Sequence, residues 1–128
     1  MTTISPMDEP ADVDLDHLVG EWLTLPDLAE ALDLGILRVR QLVRDREVAV
    51  IRRGERQIVS VPADFVLDGA LVKGLKGLLT VLADGGFDAN SALRWMFTVD
   101  DTLPGTPMQA LRENRGTEVR RRAQAMAM

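Results

Sequence analysis

Apolar residues recur at helical spacing over two short stretches of the N-terminal half, then at strand spacing over two more, then at helical spacing to the C-terminus. Leu28, Ala29 and Leu32 make the first stripe. Ahead of it, Thr24-Leu25-Pro26-Asp27 offers a capping hydroxyl, a proline near the first turn and an acid at the positive helix end, so a helix starts there. Asp33-Leu34-Gly35 breaks it. Val39, Leu42 and Val43 are the inner face of a second helix, from about Ile36 to Asp45. Val48 to Arg52 and Gln57 to Val61 read as strands, joined by Arg53-Gly54-Glu55-Arg56, a turn of hairpin length. Pro62 ends the second strand, and Ala63 to Leu67 begins a short closing helix.

From Leu71 onward the pattern is helical. Leu75, Leu78, Leu79 and Leu82 line a helix that stops at Asp84-Gly85-Gly86. Asp88 to Phe97 predicts another, Asp100 to Gly105 a turn, Pro107 to about Glu113 a third helix, and Thr117 onward a fourth. Two short helices and a hairpin form a winged helix-turn-helix. The fold class is therefore mainly α with a small β-hairpin wing: a winged helix-turn-helix over 18–69, then a helical C-terminal domain over 70–128 packed on it, since no Pro- or Ser-rich linker divides them. Residues 1–17 are expected to be a disordered acidic tail, because two prolines, five acids and no apolar period cannot offset ordering entropy.

Composition narrows the function. The 128 residues include no cysteine, which excludes disulfides and thiolate metal sites and suits a cytoplasmic protein. No apolar run approaches the roughly 20 residues of a membrane helix, and the acidic N-terminus is no secretory signal. His17 is the lone histidine, so no buried Ser-His-Asp or Cys-His set can form. Gly74-Leu75-Lys76-Gly77 lacks the preceding glycine and the lysine-hydroxyl pair of a phosphate loop. An enzyme, a cofactor and a metal are all expected to be absent.

Charge distribution changes the picture more. The net charge is −5, nine acids and no Lys or Arg precede Arg38, and then seven arginines fall between Arg38 and Arg56. With Asp45, Glu47 and Glu55 these arginines could make an ordinary solvated surface of paired charges. Coinciding with a helix, turn, helix and hairpin, they point instead to double-stranded DNA. The second helix would enter the major groove, where Arg40 and Arg44 suit guanine and Gln41 suits adenine. Ile36 and Leu37, in its first turn, are placed for thymine methyls. Arg52, Arg53 and Arg56 flank the hairpin tip, where cations meet phosphates or the minor groove. Arg38 and Arg46 are left without a role.

Leu25-Pro26-Asp27-Leu28-Ala29-Glu30-Ala31-Leu32, Val39-Arg40-Gln41-Leu42-Val43-Arg44 and the hairpin resemble the excisionase-type and MerR-type winged helix-turn-helix. Gly35 stands where that group often has a capping serine, which glycine can replace as a cap, and Arg46 where it often has a turn glycine, which suggests a different exit from the second helix. Gly77 to Leu82, Asp84-Gly85-Gly86, Arg94 to Thr98 and Val119 to Ala127 resemble an actinobacterial family of small DNA-binding regulators whose mycobacterial member is a substrate of a membrane Ser/Thr protein kinase. That resemblance implies a transcriptional regulator with partners in DNA and a Ser/Thr kinase, switched off when a threonine of the N-terminal tail is phosphorylated. Thr2 and Thr3 are the tail threonines here.

The C-terminal segments Ala92 to Met96, Leu103 to Pro107 and Ala110-Leu111 are similar to the toxin-binding domain of Xre/ParS-type antitoxins. The alternative function is accordingly a protein-interaction module, antitoxin-like or for homodimerisation, on a helix-turn-helix scaffold.

Overall fold

The computed structural model describes residues 11–126, with side chains from Leu15 onward. The expected tail up to residue 10, Thr2 and Thr3 lie outside the described residues.

The tail expectation fails for residues 11–17. Ala11–Val19 is a helix, α1, and Leu15 is fully buried. Leu15, Leu18 and Val19 sit at helical spacing, and α1 packs along a helix of the C-terminal half. The alternating acids of Asp12 to Asp16 conceal this, because the partner that buries Leu15 is some 75 residues away in sequence (Ala89–Met96). Gly20, at φ 84, ends α1 by donating its N–H to the Asp16 carbonyl.

A three-residue strand that the periodicity did not reveal, β1 (Trp22–Thr24), follows at once. The predicted helices are present as α2 (Leu25–Leu32) and α3 (Ile36–Arg44), and the hairpin as β2 (Ile51–Arg53) and β3 (Ile58–Pro62). The sheet is antiparallel in the order β1-β3-β2, with Leu23 opposite Val61 and Arg52 opposite Val59. The loop runs from Gly54 to Gln57, one residue later than expected, so Arg53 belongs to the strand. Pro62 is tolerated because β2 pairs no further along β3 than Ser60.

Thr24 caps α2, its hydroxyl accepting the Asp27 N–H at 3.3 Å. Both α2 and α3 end in the same double hydrogen bond around a left-handed residue. In α2, Asp33 (φ 55) occupies that place, with the Leu34 N–H on the Ala29 carbonyl. In α3 it is Arg46 (φ 58), with the Glu47 N–H on the Leu42 carbonyl and its own N–H on that of Val43. Arg46 thus performs the turn usually given to glycine, and the exit from α3 is retained.

A 3-10 turn (Ala63–Phe65) replaces the predicted short helix, and a second hairpin, β4 (Val66–Leu67) with β5 (Ala70–Leu71), leads to the C-terminal half. There α4 (Leu75–Asp84), α5 (Ala89–Met96), α6 (Pro107–Arg112) and α7 (Gly116–Met126) follow the predicted order. All four leucines of the α4 stripe are buried, as are Met96 and Phe97, while Trp95 is half-buried against them. Asp88 caps α5, and hydrogen bonds from the Ser91 N–H and hydroxyl hold its carboxyl below the ordinary carboxylate range. Thr106 and Gln109 form a reciprocal capping box on α6.

One apolar core runs through both halves. Arg112 of α6 adds a polar seam, its Nη1 donating to the carbonyls of Asp64 at 2.7 Å and Val66 at 2.8 Å. The molecule is a winged helix-turn-helix backed by a helical C-terminal domain.

Candidate nucleic-acid interface

The face that could read a duplex is built on α3. Val39 and Leu42 are buried and hold the helix to the body. That anchoring turns Ile36, Leu37, Arg38, Arg40, Gln41 and Arg44 outward, all exposed, on a helix that carries no acid. At 1.5 Å per residue α3 is about 13 Å long, comparable with the width of the major groove, about 12 Å. Its N-terminus has Gly35 as cap and no side-chain hydrogen bond, which leaves the positive end of the helix open.

Two features refine the side-chain roles. Arg38 donates from Nη1 to Gln41 Oε1 at 3.0 Å. With its carbonyl engaged, Gln41 keeps its amide N–H groups as donors, whereas bidentate adenine pairing needs both ends. Arg38, unassigned from sequence, is therefore the orienting partner of Gln41. Leu37 is 75% exposed, the most exposed large apolar residue described, and Ile36 is 38% exposed. Ile36 and Arg40 line a shallow recess of about 250 Å³ whose far wall is Ile58 and Val59 of the wing.

The three wing arginines have different surroundings. Neighbouring residues on a strand point to opposite faces, so Arg52 and Arg53 cannot share a surface. Arg52 and Arg56 are exposed, Arg56 within the loop. Arg53 departs from its expected place at the phosphate-facing tip. Its Nε donates to Asp16 Oδ1 of α1 at 2.6 Å, and its guanidinium carbon lies 4.7 Å from the centroid of the Trp22 ring. Neither Asp16 nor Arg38 was identified from sequence as part of this region. Nothing in the local sequence signals Asp16, since it stands 37 residues from its partner.

The other basic cluster is internally committed in part. Arg122 donates to the hydroxyl and carbonyl of Thr102 and pairs with Glu118 at 3.4 Å, tying α7 to the turn at 100–105; Arg120 and Arg121 are exposed. Among the described residues there is no group of three or more His, Cys, Asp or Glu that could hold a metal, and no helix long and apolar enough to cross a membrane.

Comparison with known proteins agrees with this architecture along the chain. Residues 10–66 match the family described as DNA-binding protein Rv2175c, wHTH domain, and residues 72–127 match the Rv2175c C-terminal domain of unknown function. The protein of Mycobacterium tuberculosis (strain ATCC 25618 / H37Rv) described as DNA-binding protein Rv2175c is 36% identical over 115 residues, covering 80% of this chain and 78% of that one. The NMR structure of Rv2175c superposes with a TM-score of 0.75 at 33% identity, covering all of this chain and 87% of the other. With a winged helix-turn-helix, the accompanying C-terminal domain and this degree of identity, the chain belongs to the Rv2175c family.

Proposed function

We propose that this protein binds double-stranded DNA through α3 and the wing, and acts as a cytoplasmic transcriptional regulator rather than an enzyme. The observation that carries the reading is the outer face of α3: three arginines and a glutamine, flanked by an exposed apolar first turn, on an acid-free helix anchored by Val39 and Leu42. Family membership supports it, since the relative is described as a DNA-binding protein. Arg40 and Arg44 contact base edges, Gln41 donates from its amide, and Arg52 and Arg56 contact phosphates.

The test combines selection from a random duplex pool with a salt titration. Arg40→Ala and Arg44→Ala should each relax the selected sequence, losing about 1–3 kcal/mol of discrimination per base pair. The log of the binding constant should fall with log salt at about 0.9 per phosphate contact. Salt-insensitive association, or no binding to any duplex at low salt, would favour the protein-interaction reading. One α3 and one wing cover a single half-site, so a homodimer on a two-fold operator is the form expected to reach high specificity.

Phosphorylation of Thr2 or Thr3 by a Ser/Thr kinase is the proposed regulation. A phosphate adds about −1.5 to −2 charge to the segment joined to α1, and a tethered anion competes with DNA for a cationic face within its reach at high effective concentration. Of the five acids once assigned to the tail, Asp12, Asp14 and Asp16 lie on α1, leaving Asp8 and Glu9 before it. The informative truncation therefore stops at residue 10. Identical DNA affinity for the intact, truncated and phosphorylated chains would sink this part of the reading.

A further inference from the structure

Three elements converge on one side chain of the wing. Arg53 leaves β2 next to the loop but turns back, so that α1 supplies a carboxylate at 2.6 Å and β1 supplies the face of Trp22 at 4.7 Å. The side chains of Arg53 and Asp16 are 32% and 40% exposed, so the pair lies at the solvent boundary. Arg52 and Arg56 form no ion pair among the described residues.

This distribution separates two kinds of cation. An arginine that already holds a carboxylate has no uncompensated charge for a phosphate. Moving it to DNA means giving up a charge-assisted hydrogen bond and an aromatic contact first, and it leaves Asp16 facing the backbone as a like charge. Arg52, on the opposite face and unpaired, carries no such cost.

We propose that Asp16 withholds Arg53 from DNA: Arg52 and Arg56 are the wing's phosphate contacts, and Arg53 is a positioning residue that sets the wing against α1 and β1. The proposal rests on the DNA-binding reading, but the pair itself can be tested without DNA.

The experiment is a salt titration of the full chain on one mixed-sequence duplex. Arg52→Ala and Arg56→Ala should each flatten the log–log slope by about 0.9. Arg53→Ala should weaken binding by the same factor at every salt concentration and leave the slope unchanged. Asp16→Asn, which frees the guanidinium, should steepen the slope by about 0.9, and the Asp16→Asn/Arg53→Ala double variant should return to the wild-type slope. Flattening by Arg53→Ala equal to that of Arg52→Ala, or a wild-type slope in Asp16→Asn, overturns the proposal. Without DNA, the Arg53 Nε–H resonance should be shifted from that of a solvated arginine and should move in Asp16→Asn; a signal at the solvated position in both proteins also overturns it. Absence of duplex binding by the wild-type chain would take down the underlying reading instead, a result distinct from each of these.

Discussion

Replacing Leu15 by alanine decides whether the chain before residue 18 is tail or structure. Leu15 is 0% exposed within the shared core, on a helix that packs along α5. Removing its three outer carbons, Cγ and both Cδ, forfeits about 2.4 kcal/mol of transfer free energy, at about 0.8 kcal/mol per buried carbon. The cavity left behind would raise this toward the upper part of the usual range of about 2–5 kcal/mol. A limit applies: the loss cannot exceed the free energy of docking α1 as a unit. The expected destabilisation is thus about 2–3 kcal/mol. For a chain of this size that corresponds to a fall in Tm of about 3–5 °C per kcal/mol. Urea unfolding followed by circular dichroism measures it, with Leu15→Met as the volume-conserving control at under about 1.5 kcal/mol. A loss below about 0.5 kcal/mol, the size of an ordinary surface substitution, would refute the burial of Leu15 and restore the tail.

Three further outcomes follow from particular contacts. Arg46→Gly should stabilise the protein by about 0.5–1 kcal/mol in the same unfolding assay, because it relieves a side chain at φ 58 at a cost of some unfolded-state entropy. The Asp88 carboxyl has a depressed pKa through its Ser91 hydrogen bonds, so its capping contribution is present above the ordinary value of 3.8 and is lost as pH falls through the lower folded value. Asp88→Asn should therefore abolish that part of the acid-side stability loss; parallel pH profiles for the two proteins would contradict the assignment. Replacing thymine by deoxyuridine under Leu37 should weaken binding by about fourfold, one methyl contact at about 0.8 kcal/mol, and Leu37→Ala should bind both duplexes alike.

The helices of the winged helix-turn-helix and the first helix of the C-terminal domain were largely visible in the sequence because their signals are local. Thr24, Pro26 and Asp27 announce α2, Val39 and Leu42 orient α3, and four leucines mark α4, each within one or two helical turns. Most of what escaped depends on partners distant in sequence. Strand β1 has three residues, too few for any period, and exists by pairing with β3 beyond α2, α3 and β2. By contrast, β4 and β5 pair with each other across Asp68-Gly69, a local turn signal that the periodicity of two-residue strands could not reinforce. The burial of Leu15 needs α5, and the commitment of Arg53 needs α1. In the cationic block, residue type suggested contact chemistry for all three wing arginines, whereas strand alternation and Asp16 divide them.

The packing of α1 along α5 also bears on how the chain is made. Synthesis delivers α1 well before α5, which leaves the ribosome only after the wing and α4 have been completed. Local contacts allow α2, α3 and the hairpin to fold in that interval. Helix α1 therefore docks late, its Leu15 face uncovered until α5 arrives. A fragment cut at residue 70 would be held permanently at that stage: it would keep the whole winged helix-turn-helix while exposing the apolar side of α1.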